Sequence, residues 1–182
     1  PNYDQYWKDR NVLPHLNKVG CATMTVGGWY DNEDLYGALN TYRHIEKQNP
    51  GIYNILVVGP WFHGGWARSE GEWLGTAYFG SETSEYYRVN MELPFFNHFL
   101  KDKGDISLLK EVNVFDTGTN AWKSFDGFDP SSGKDTALYV TKGGGLSFTQ
   151  GADAGYDEYV SDPMKPVPYT QKITLSYPRD YM

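Results

Sequence analysis

Cysteine is almost missing from this chain of 182 residues: Cys21 stands alone. A single thiol closes no internal disulfide, and no Cys/His cluster or paired-histidine helix pattern supplies a metal site. Neither a metal nor a cofactor is expected. Cys21 lies within the apolar run 19–26 and reads as a small buried hydrophobe, silent about compartment. No stretch approaches the roughly 18 consecutive apolar residues of a membrane-spanning helix. Basic residues are also scarce, 16 Lys and Arg against 23 Asp and Glu, for a net charge of −7. Without a Lys/Arg stripe, nucleic acid is not an expected partner. A Gly-x-Ser-x-Gly elbow is absent as well. Ser69, Ser81, Ser84 and Ser107 lack the flanking glycines that let a nucleophilic serine sit on a strained strand-to-helix turn.

What is abundant is aromatic. Tyr, Trp and Phe make up 16% of the residues and hydrophobic residues 40%, enough for a packed core. Residues 3–17 carry Tyr3, Tyr6, Trp7, Val12, Leu13 and Leu16 at helical spacing, interrupted by Pro14. Residues 19–26 read as a buried strand ending in Gly27-Gly28. Leu35, Ala38, Leu39, Tyr42 and Ile45 predict a helix over 31–48, stopped by Asn49-Pro50-Gly51. A second buried strand follows at 53–58, so the first sixty residues suit a parallel βαβ unit. Beyond a Gly- and Trp-rich loop over 61–80, a helix is predicted over 84–103, kinked at Pro94. From about residue 105 short alternating runs at 111–115, 122–125, 136–141 and 172–176 give an all-β pattern. Gly143-Gly144-Gly145 reads as a hairpin turn.

Two residues carry chemistry. Asp31 closes Gly27-Gly28-Trp29-Tyr30-Asp31 just past the first strand, and His63 closes Gly59-Pro60-Trp61-Phe62-His63 just past the second. Sites in open α/β sheets form at the carboxyl ends of strands. Adjacent parallel strands run about 4.8 Å apart, so the two side chains are within mutual reach. A carboxylate beside an imidazole fixes its tautomer and stabilises the imidazolium formed during acyl transfer. Acid before base, with serine upstream of both, is the α/β-hydrolase order. The plainer alternatives are that Asp31 caps the following helix and that His63 is an ordinary loop residue. His15, His44 and His98 are weaker candidates. Asp31-Asn32-Glu33-Asp34 lacks the Gly and distant Glu of a calcium loop. Trp29, Tyr30, Trp61, Phe62 and Trp66 flank the pair and are either an apolar substrate pocket or ordinary packing. The 64–80 loop is either a mobile cover or a static surface segment.

Five ordered motifs carry a likeness. They are Tyr3-Asp4-Gln5-Tyr6-Trp7, Gly28-Trp29-Tyr30-Asp31, Gly59-Pro60-Trp61-Phe62-His63-Gly64, Pro94-Phe95-Phe96-Asn97-His98-Phe99-Leu100, and a last one running from Tyr159-Val160-Ser161-Asp162-Pro163 to Tyr169. Together they resemble the CocE/NonD hydrolases, the group of cocaine esterase, X-Pro dipeptidyl-peptidases, glutaryl acylases and α-amino-acid ester hydrolases. The resemblance implies that Asp31 and His63 are the acid and base of a Ser-His-Asp triad. It implies a fold in which 1–104 is the C-terminal portion of an α/β-hydrolase parallel sheet and 105–182 the start of a β jelly-roll domain. It also implies that the nucleophile, oxyanion hole and cap lie upstream, so that this stretch alone does not turn over. Both ends read as cut from a longer chain. The implied partners are small ester, amide or short peptide substrates; self-association stays open. The competing class is a non-catalytic carbohydrate- or partner-binding protein that would stack ligands on Trp122, Phe125 and Phe128.

Overall fold

A computed structural model of the chain describes residues 2–128, 133–151 and 155–166. The strand expected at 172–176 and the last residues of the 159–169 motif fall outside these. The elements are α1 (Gln5–Lys8), a 3-10 turn (Leu13–His15), β1 (Thr23–Gly28), α2 (Leu35–Gln48), β2 (Asn54–Gly59), α3 (Gly65–Arg68), β3 (Trp73–Leu74), β4 (Ala77–Tyr78), α4 (Thr83–Tyr87), a π-helical turn (Arg88–Glu92), α5 (Leu93–Lys101), β5 (Val112–Asp116), β6 (Ala121–Phe125), β7 (Tyr139–Thr141) and β8 (Gly145–Ser147).

A four-stranded sheet in the order β1-β2-β5-β6 is the frame. β1, β2 and β5 are parallel, and β6 returns antiparallel beside β5. All six residues of β2 are buried, as a central parallel strand covered on both faces requires. Its side chains alternate between the two faces. Leu56 and Val58 meet Tyr42 of α2 and Val112 on one face; Val57 meets Trp61, Tyr87 and Met91 on the other. Each fully buried aliphatic side chain contributes about 1.5–3 kcal/mol. A third cluster, Leu74, Phe79 and Phe115, gathers Tyr30, Phe62 and Trp122 against it.

Several expectations are corrected. β1 begins at Thr23, so Cys21 lies in the bend before it and is exposed, not a buried strand residue. The helix expected over 31–48 starts at Leu35, because residues 31–34 form a turn bonded to the Asp31 side chain. The helix expected over 84–103 is three successive segments, and Pro94 opens the third. Proline has no N–H and crowds the carbonyl four residues earlier. The π turn directly before it absorbs that mismatch. The 61–80 loop is organised: it holds α3 and the β3–β4 hairpin, with Leu74 and Phe79 buried. Trp122 is partly buried, packs against two core clusters and is stacked on Tyr86.

The chain divides into two compact units. The first holds the described residues through Phe128; the second holds those from 133 to 166. The sequence placed a boundary at 104–105. Val112–Asp116 instead enters the sheet beside β2, so the first unit runs on to Phe128. In the second unit β7 and β8 form an antiparallel hairpin turned by Gly143 and Gly144, both at positive φ. Among the described residues, no helix is long and apolar enough to cross a membrane.

Candidate active site

The last paired residues of β1 and β2 are Gly28 and Gly59. Beyond them the two loops stay joined. Trp29 donates its N–H to the Gly59 carbonyl (2.9 Å), and Tyr30 donates to the Trp61 carbonyl (3.1 Å). This close approach selects glycine. A Cβ on residue 28 would collide with the Trp61 carbonyl, and one on residue 59 with the Trp61 ring. Trp61 is 1% exposed, and its indole N–H donates to Thr83 Oγ1 (2.9 Å), whose hydroxyl donates to the Gly71 carbonyl (2.7 Å). The second loop therefore hangs from a buried ring.

His63 sits in the turn that follows. Gly65 donates its N–H to the Phe62 carbonyl (2.8 Å), and Gly64 takes φ 73°, ψ 11°, the conformation a type II turn demands of its third residue. Glycine adopts it without strain. The turn presents the imidazole to Asp31, and His63 Nδ1 lies 2.9 Å from Asp31 Oδ2. The Asp31 side chain is 3% exposed and that of His63 47%. Asp31 Oδ1 is occupied separately, accepting the backbone N–H groups of Glu33 (2.9 Å) and Asp34 (3.0 Å).

The two oxygens of Asp31 thus make separate contacts at once. One oxygen organises the turn into α2, and the other faces the imidazole. A carboxylate fixed by two amides cannot swing away, so it favours the His63 tautomer that carries the proton on Nδ1. The sequence did not single out Glu33, whose Oε2 lies 3.9 Å from His63 Nδ1 at the surface. Its position two residues after Asp31 was the available signal.

The five aromatic candidates separate. Trp61 and Trp66 pack in the core beneath the sheet's second face, their rings 6.1 Å apart. The Trp29 indole N–H donates to the Phe115 carbonyl (2.8 Å), fastening β1's loop to β5. Tyr30 and Phe62 are half-buried and lie against Leu74, Phe79 and Phe115, with Tyr30 stacked on Phe79. Tyr30 and Phe62 are thus the rings that directly precede Asp31 and His63 and share one apolar cluster. The other histidines serve locally: His44 contacts the Asn40 carbonyl and His98 that of Gly104. No group of three or more His, Cys, Asp or Glu suited to a metal ion occurs among the described residues.

A sequence model of the X-Pro dipeptidyl-peptidase (S15) family matches residues 1–65, the stretch that contains both Asp31 and His63. Proteins of Mycobacterium bovis and Mycobacterium tuberculosis that carry provisional serine-esterase names are each 28% identical to it over 160 residues, 86% of this chain and 23% of theirs. Two solved structures resemble it closely. An aminopeptidase from a marine sediment archaeon, Thaumarchaeota archaeon, aligns with TM-score 0.81 and 36% identity over 94% of this chain and 28% of its own. An α-amino acid ester hydrolase aligns with TM-score 0.79 and 31% identity over 92% of this chain and 29% of its own. These matches support the CocE/NonD hydrolases as the family of this chain. The chain spans about a quarter of the length of the curated relatives it matches.

Proposed function

We propose that this chain supplies the acid and base of a serine hydrolase that cleaves ester or amide acyl bonds, and that the nucleophilic serine is carried by another part of the same protein. The observation that carries this reading is the 2.9 Å contact between His63 Nδ1 and a buried Asp31 carboxylate whose other oxygen is already committed.

In this reading the serine Oγ attacks the acyl carbonyl while its proton passes to His63 Nε2. Asp31 stays ionised and holds the resulting imidazolium in place. The tetrahedral adduct collapses, its leaving group takes the proton from Nε2, and an acyl-serine remains. Water then attacks the acyl carbon, giving its proton to Nε2, and the serine leaves with that proton restored. Tyr30 and Phe62 form the apolar wall nearest the base. The substrate is a small ester, an amide or a short peptide, and the second unit, described from residue 133, is read as the start of the jelly-roll domain that accompanies this catalytic fold.

The test is turnover by the full-length protein on simple esters, amino-acid esters and X-Pro peptides, with His63→Ala and Asp31→Asn compared. Hydrolysis of one class, lost in both variants while the fold is kept, supports the reading. Hydrolysis untouched by His63→Ala overturns it.

A further inference from the structure

We propose that Arg88 is a positioning residue for His63, acting through the short helix that follows the base. The inference rests on the triad reading above and adds to it a residue far along the chain.

The base sits on a short turn, and α3, directly after it, is only four residues long. One helical turn is not stable by itself; its carbonyls lack successors to bond them. Arg88 answers that deficit. Its Nη1 donates to the Trp66 carbonyl (2.9 Å) and to the Ser69 carbonyl (3.1 Å), bridging the end of α3 from outside. Two further bonds close the same segment: Ser69 Oγ donates to the Gly65 carbonyl (2.9 Å), and Ser84 N–H to the Glu70 carbonyl (3.0 Å). Arg88 is itself held from behind, with Nη2 2.8 Å from Glu85 and 3.6 Å from Glu70. Only guanidinium presents enough donors in a fixed fork to hold two carbonyls and a carboxylate together.

Arg88 opens the π-helical turn that precedes Pro94 and directly follows Tyr87, whose buried ring packs on Trp61. The bracing path therefore runs from the π-helical turn through Arg88 to α3 and the His63 turn. Small displacements of a catalytic group are costly, so loosening α3 should lower the chemical step rather than substrate binding.

The experiment uses the full-length protein and three variants. Arg88→Met removes both carbonyl bonds, Arg88→Lys retains charge with a single-point donor, and Glu85→Gln removes only the ion pair. Two readouts are taken: kcat and KM on the best ester, and the downfield proton resonance of the His63–Asp31 bond, which needs no turnover. Arg88→Met should lower kcat about 10- to 100-fold with KM within about twofold, and should shift or broaden the resonance. Arg88→Lys should recover part of both, and Glu85→Gln should match the parent. The proposal is overturned by an unmoved resonance with full kcat in Arg88→Met, or in Arg88→Lys where Arg88→Met does not fold. A loss of the same size in Glu85→Gln overturns it as well. If the parent's turnover is indifferent to His63→Ala, the triad reading fails, while the resonance still reports whether Arg88 positions the ring.

Discussion

Tyr30 donates its backbone N–H to the carbonyl oxygen of Trp61 at 3.1 Å, and this bond continues the parallel ladder past the ends of the two strands. The residues after each partner, Asp31 on one side and Phe62-His63 on the other, are thereby delivered to one place. The contact depends on residue 28 having no side chain, since a Cβ there would overlap the Trp61 carbonyl. That neighbour is backbone and cannot rotate away. Gly28→Ala should therefore destabilise the fold by about 1–3 kcal/mol, read from the urea midpoint, and depress turnover further by spreading the loops.

Asp31→Asn isolates the charge. The amide oxygen can still accept the Glu33 and Asp34 N–H groups, but the amide NH2 facing His63 favours the wrong tautomer. In the full-length protein kcat should fall by about 10⁴ with unchanged circular dichroism. Asp31→Ala should lose stability as well, by about 1 kcal/mol, because the Glu33 and Asp34 turn amides lose their acceptor.

Trp61 and Trp73 make a matched pair of substitutions. Trp61 is 1% exposed in the core, whereas Trp73 is 56% exposed on the hairpin. Trp61→Ala should cost about 3–5 kcal/mol and Trp73→Ala within about 0.5 kcal/mol in denaturant titrations. Equal costs would show that Trp61 does not carry the second loop.

Alkaline stability should be governed by two phenols. Burial raises the Tyr42 phenol above its usual range, helped by the neighbouring Glu111 carboxylate that accepts its hydrogen bond. Tyr87 is raised by burial and by Glu92. A group raised in the folded state stabilises below its unfolded value, and that stability drains as pH climbs from about 10 upward. The unfolding midpoint should therefore drop through this window, and the drop should shrink in Tyr42→Phe and Tyr87→Phe when each is compared with itself at pH 8.

Asp116 works in the opposite direction. Its carboxyl is drawn down to about 2 by Lys123, with the Gly118 N–H and the Thr119 hydroxyl also donating to it. A depressed acid stabilises above its unfolded value and loses that contribution as pH falls from about 4 towards 2. Asp116→Asn should flatten the acid limb of thermal stability in that window and leave neutral-pH turnover unchanged.

Much of the frame was legible because burial on both faces leaves an unambiguous signal. Residues 54–59 are continuously apolar apart from Asn54, and such a run between turn signals reads as a covered parallel strand. The boundary was less legible. Residues 112–116 and 121–125 look like any alternating pair, and nothing local says that Val112 lies beside Leu56, fifty-odd residues earlier. The two readings of the aromatic residues stayed open in the sequence for a similar reason. Trp61 and Trp66 lie as near His63 in sequence as Phe62 does, but the side to which each ring turns is set by Thr83, Tyr87 and Trp122.

The sequence by itself determined that two strands end in glycine-rich turns carrying an acid and then a base, because strand period, glycine and residue type are local properties. Tertiary structure alone decided the rest. It set the 2.9 Å spacing of Asp31 and His63, divided the Asp31 oxygens between turn and imidazole, and brought Arg88 to the carbonyls of α3. Those are non-local contacts. They exist because packing Tyr42 on one face of β2 and Trp61 on the other fixes where every loop at that edge must go.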